Sequence, residues 1–172
     1  MKIIQINIDD KNYNAAITNY SLGVGEKLGL LKGSQLSNVL TETNMLSVIY
    51  LSLLGVEKNV PFSFTDFTKI EWDEQTVKAI YRMLIEPFTT FKENNFAKEI
   101  EKNISKIVPQ NAKQIKPLKL NYECVEDRYT VYCLVYGIDS EIFWHSPIMD
   151  VERIFENIQT YRAWQARPRE VR

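Results

Sequence analysis

The stretch that most restricts how this chain can fold runs from Val131 to Trp164, VYCLVYGIDSEIFWHSPIMDVERIFENIQTYRAW. It reads as the end of one helix, a stop, a short second helix and a third. Tyr132, Cys133 and Tyr136 continue a helical stripe begun at Val125 and Tyr129. Gly137 stands where a left-handed residue closes a helix at least cost. Asp139 or Ser140 can cap a turn carrying Ile142, Phe143 and Trp144. Ser146-Pro147 reads as a cap followed by a first helical position, where the N–H that proline lacks would be unpaired anyway. Asp150 and Glu152 then fall early in a helix, where its dipole favours acids. Val151, Ile154, Phe155, Ile158 and Tyr161 form the predicted buried stripe.

The N-terminal part has a different rhythm. Ile4, Ile6 and Ile8 alternate with polar residues, Asp9 to Asn12 make a polar turn, and Tyr13, Ala15 and Ile17 resume the alternation, which predicts a β-hairpin. A lone hairpin is marginal in water, so its isoleucine face must rest on something else. Tyr20–Gly33 carries glycines at 23, 25, 29 and 33 and predicts a weak helix or a loop. Its GVGEKLG run has the wrong spacing for a nucleotide loop, and no Lys-Ser or Lys-Thr follows a final glycine. Leu46, Ile49, Tyr50, Leu53 and Leu54 mark a strong helix, with Asn44 as its cap and Gly55 as its stop. Ser63 or Thr65 caps a short helix facing inward through Phe67 and Ile70. Asp73 caps the longest, with the stripe Val77, Ile80, Tyr81, Leu84, Ile85, Phe88 and Phe91, and Pro87 inside it should bend or interrupt it.

From Lys92 to Lys119 seven lysines stand against three acids, and Pro109 and Pro117 bracket a polar run. All fourteen lysines lie at or before residue 119, whereas six of the seven arginines follow residue 127. The expected fold class is therefore mainly α with a small N-terminal β-hairpin (α+β), in two small helical modules joined by a basic linker. The divisions are 1–96 for the hairpin and first helices, 97–118 for the linker and 119–172 for the C-terminal module. A net charge of −1 gives no global attraction to nucleic acid or an anionic membrane. The basic run has no interleaved aromatics from 97 to 119, which argues against a nucleic-acid surface. The most apolar run, Val48–Val56, is far too short to span a bilayer. Met1-Lys2 leads straight into strand alternation without a signal-peptide core. The expectation is a soluble cytoplasmic protein.

Residues able to carry chemistry are few and scattered. His145, the single histidine, has no Cys or acid at metal-ligand spacing. Cys124 and Cys133 belong to one predicted helix, where they cannot reach each other, and Cys133 falls on a packed stripe, where a thiol away from positive charge is inert. Asp9-Asp10 and Asp73-Glu74 suit turn and cap chemistry. The expectation is thus no catalytic residue, no metal and no cofactor. Trp144 and Trp164 point elsewhere. Trp164 lies more than about 90° round the helix from the Val151–Ile158 stripe. Beside Arg162, Arg167, Arg169 and Arg172 it makes a candidate interface anchor, because Trp and Arg dominate binding hot spots. An aromatic simply covering the module's flank is the competing reading. The candidate partner-binding residues are Trp144, Phe143, Trp164 and Arg162.

In element order the chain resembles the tail assembly chaperones of long-tailed bacteriophages. The hairpin, the helix ending in LSLLGV, then FSFTDFTKI and a long amphipathic helix are similar to their N-terminal domain. YGIDSEIFWHSPIMDVERIFENI resembles the small C-terminal domain of their longer forms, through Gly137, Ile138, Phe143, Trp144, Ser146, Pro147 and Asp150. The resemblance implies a non-enzymatic protein that binds another protein, the long helical tape-measure protein, in the host cytoplasm before the tail tube polymerises. Short amphipathic helices and exposed aromatics suit that task, and self-association is compatible with them. The alternative is a small structural or completion protein retained in the virion.

Overall fold

The computed structural model describes residues 3–33, 36–41, 45–90, 93–107 and 122–166. Among them the fold is mainly helical, with a two-stranded antiparallel hairpin at its N-terminal end. β1 (Ile4–Ile8) pairs with β2 (Lys11–Ala15) in the register Ile4 to Ala15 and Ile8 to Lys11. That register leaves Asp9 and Asp10 as a two-residue turn with φ of 48° and 62°. Such a turn follows the strands' right-handed twist, and aspartate tolerates the left-handed region better than most residues do. Ile4, Ile6 and Ile8 are all buried, as the alternation predicts.

What the isoleucine face rests on is a group of helices. α1 spans Asn19–Lys27, α2 Met45–Val56, α3 Phe64–Lys69 and α4 Glu74–Thr89, and a 3-10 turn, Leu36–Asn38, lies between the first two. α2 packs against β2, α1, α3 and α4. It is central rather than amphipathic: Val48, Ile49, Tyr50, Leu51, Ser52, Leu53 and Gly55 are all buried. Ser63 and Asp73 cap α3 and α4 by accepting from Asp66 N and Thr76 N. The predicted cap Asn44 and the stripe residue Phe91 lie outside the described residues. Pro87 sits in the last turn of α4, and the helix runs past it to Thr89. One ladder bond near a helix end is all it removes.

Two glycine-bearing stretches owe their form to close packing. Tyr20–Gly33 is not simply weak structure, because α1 opens with a reciprocal cap in which Thr18 Oγ1 accepts from Ser21 N (3.1 Å) and Ser21 Oγ accepts from Thr18 N (2.9 Å). The helix needs its glycines for contact. A methyl at Gly25 would come 2.6 Å from Leu51 Cδ1, and one at Gly23 would come 3.1 Å from Val125 Cγ1. Gly55, read as a stop, lies inside α2, where a methyl would meet the Ala16 carbonyl oxygen and Thr18 Oγ1, both at 2.8 Å.

The C-terminal half builds a second core. α6 (Val125–Tyr129) passes into a π-helical segment, Thr130–Val135, followed by α7 (Ser140–His145) and α8 (Ile148–Gln165). The wider π turn replaces the continuous α-helix that the stripe predicts; a side-chain pattern over two turns does not separate the two periods. Tyr132 lies flat on Phe155, with ring centroids 3.9 Å apart, and Tyr129 meets Phe143 edge-on. Gly137, at φ 77°, ends the segment, with Ile138 N donating back to Tyr132 O. Asp139 caps α7. Pro147 itself occupies the cap position of α8, one residue before the place expected for it. Tyr161, expected on the buried stripe, is exposed.

The two cores are joined directly. Ile148 is fully buried and belongs to the N-terminal core, and its N–H donates to Ile17 O at 3.0 Å. Thr18 pairs with Pro147 as an isolated bridge, and Asn19 Nδ2 donates to Phe143 O at 2.9 Å. α1 is therefore the seat on which α6 and α7 rest. Residues 95–107, mostly within the stretch read as linker, form α5, which packs on α8. Asn94 fixes it there, donating to Glu156 (2.7 Å) and Asn157 (2.8 Å). Residues 108–118 of that stretch lie outside the described residues.

Candidate partner-binding surface

A pocket lined by Ile17, Ser21, Leu22, Leu31, Val39, Val48 and Leu51 holds about 10 Å³, barely one water and far below a ligand site. Among the described residues no three His, Cys, Asp or Glu side chains gather as a metal-binding group. No described helix is long and apolar enough to cross a membrane.

Arg128, Glu152 and Tyr132 form a partly buried charged network. Arg128 is 8% exposed, pairs with Glu152 and lies over the Tyr132 ring, 5.4 Å from its centroid. Tyr132 OH donates to the same carboxylate at 2.7 Å. Burial first, and the Glu152 charge after it, push the Tyr132 hydroxyl far above its ordinary range. This hydroxyl stays protonated and fastens α8 to the π segment, so the network works as an internal clamp. Arg128 Nε is buried without a partner, a cost that the aromatic stacking around it must offset. Burial likewise raises the Cys133 thiol, which keeps it un-ionised.

The four candidate residues separate. Phe143 is fully buried, in edge contact with Tyr129, Tyr132 and Trp144, so it belongs to the second core and is closed to a partner. The sequence could not show this, because α7 is only six residues long and its stripe holds three consecutive apolar residues, any of which could face inward. Arg162 is engaged within the chain. Its guanidinium donates to Val135 O (3.1 Å) and Tyr136 O (3.2 Å) and lies 4.9 Å from the Tyr136 ring centroid. It thereby satisfies carbonyls at the end of the π segment, a favourable place for a cation. Trp144 is half-buried, stacked on Tyr129 at 5.5 Å.

Trp164 is the member that faces outward. It is 45% exposed and stacks with Tyr161, itself 47% exposed, at 6.0 Å. On the helix wheel Trp164 lies about 40° from Thr160 and about 20° from Asn157. Asn157 receives the bond from Asn94, and Thr160 is buried. Trp164 thus lies on the same side of α8 as these two residues and remains half open. The neighbouring Arg167, Arg169 and Arg172 lie outside the described residues. No family model, curated protein or solved structure matches this chain.

The sequence leaves the region of α1 as a weak helix or a loop, and the structure shows the helix. Thr18-x-x-Ser21 was a legible cap signal, whereas the use of Gly23 for close approach to Val125 depends on a partner about a hundred residues away.

Proposed function

We propose that this protein is a tail assembly chaperone of a long-tailed bacteriophage, which holds the tape-measure protein before the tail tube forms around it. The resemblance at Gly137–Asp150 suggests the family, and the Tyr161–Trp164 pair is the structural observation that supports the reading. Two stacked aromatics, each about half exposed on a rigid helix, offer a large apolar area at low entropic cost, which suits capture of an amphipathic helix. Trp144 is a supporting contact, half-buried but still reachable. Phe143 and Arg162 act indirectly, by holding α7 and the π segment in place.

The test is retention of tape-measure fragments on the full-length protein. Tyr161→Ala with Trp164→Ala should abolish retention while circular dichroism stays unchanged; undiminished retention would remove these residues from the binding surface. Failure of the unaltered protein to hold any tape-measure fragment would reject the function. Mass spectrometry of finished particles addresses the alternative: a chaperone is absent from them, and a structural component is present in stoichiometric amount.

A further inference from the structure

We propose that α5 is a self-association helix, pairing antiparallel with α5 of a second copy of this chain. Its apolar residues Phe96, Ile100 and Ile104 recur at four-residue spacing and form one stripe. α8 covers only one edge of it. Ala97, about 100° round the helix from Phe96, is 2% exposed, whereas Phe96 is 50% exposed and Ile100 and Ile104 are half-buried. The hydrogen bonds that hold the start of α5 on α8 are polar ones, from Asn94 to Glu156 and Asn157, and none of them uses the apolar stripe.

The charges beside the open edge indicate what covers it. Glu99 and Lys106, both exposed, lie on the flank away from Ala97. They are about 20° apart round the helix and about 10 Å apart along it. In an antiparallel pair with its two-fold axis between Lys102 and Asn103, Glu99 of each copy meets Lys106 of the other. Ile100 of one copy then lies beside Ile104 of the second. Such an interface is isologous and closes at two copies. A parallel pairing would place this flank on opposite sides of the seam in the two copies, so Glu99 and Lys106 would not meet. The stripe and the Tyr161–Trp164 pair share no residue and sit on different helices, so this proposal and the chaperone reading fail independently.

Sedimentation velocity of the full chain over a concentration series tests it. A concentration-dependent dimer is expected. Glu99→Lys alone and Lys106→Glu alone should each weaken it on the order of tenfold, since each change sets two like-charge contacts. The double variant Glu99→Lys/Lys106→Glu restores both pairs with reversed polarity and should return to within about threefold of the original. Phe96→Ser should also weaken the dimer. All these positions are exposed, and circular dichroism checks that the fold is kept. A chain monomeric at every concentration overturns the proposal. So does a double variant no stronger than the singles, or a dimer indifferent to Phe96→Ser.

Discussion

Replacing Gly55 by alanine sets two effects of opposite sign against each other. Within a helix alanine is favoured over glycine by about 1 kcal/mol, so helix propensity alone predicts a more stable protein. The new methyl, however, would sit 2.8 Å from the Ala16 carbonyl oxygen and 2.8 Å from Thr18 Oγ1. Carbon–oxygen contacts settle at about 3.3 Å or more, so both atoms must retreat by about 0.5 Å. Retreat stretches the Ala16 N to Ser52 O bond, now 3.0 Å, and disturbs the Thr18 cap on Ser21. Weakening a hydrogen bond and a cap costs about 1 kcal/mol each, and overpacking a closed contact adds about 1–3 kcal/mol. After the propensity gain, the net loss should be about 2–4 kcal/mol, which lowers Tm by about 4–16 °C in a chain of this length. Urea unfolding followed by circular dichroism measures it. A Gly55→Ala protein as stable as the original, or more so, would refute the close-approach argument and leave α2 with only its propensity.

Two further perturbations probe the second core and its seat. Ile148→Ala removes a fully buried side chain from the N-terminal core and should cost about 2–5 kcal/mol in urea unfolding, with Lys27–Glu126 and Tyr20–His145, both bridging α1 to the C-terminal half, loosened as well. Tyr132→Phe should cost about 1 kcal/mol at pH 7 through the lost bond to Glu152. The folded protein holds the Tyr132 proton far above the unfolded value near 10, so stability from this group is intact below pH 10 and falls as pH rises beyond it. The Phe variant should therefore lose stability less steeply than the original between pH 10 and 11; parallel slopes would show that Tyr132 ionises freely.

Periodicity and punctuation reveal much of this fold. The hairpin, the caps at Ser63, Asp73 and Asp139, the stop at Gly137 and the buried stripe of α4 depend on neighbours within a turn or two, and local chemistry determines them. The features that fail depend on distant partners. Gly55 reads as a stop because glycine after an apolar helix usually is one; its actual constraint is the backbone of Ala16, across a contact that sequence order does not reveal. Tyr161 lies within helical reach of the buried stripe yet is exposed, because the core beside α8 ends with Ile158 and Phe155. Of the candidate surface, Trp164 was legible from its angle on the wheel. Phe143 and Arg162 were not, since one is claimed by three aromatic rings and the other by two carbonyls of a π segment that sequence periodicity does not distinguish from an α-helix.

The bond from Asn19 to Phe143 spans 124 residues, and beside it Ile148 fills the first core. A ribosome releases the hairpin and α2 long before it makes the residue that completes their packing. Until then the nascent chain shows an unfilled socket around Ile17 and the Thr18 cap, and folding of the first half waits on translation of the second. A product cut or halted before Pro147 would keep that socket open, with the Ile17 carbonyl unmatched, and would be the form of this polypeptide most prone to stick to its own kind.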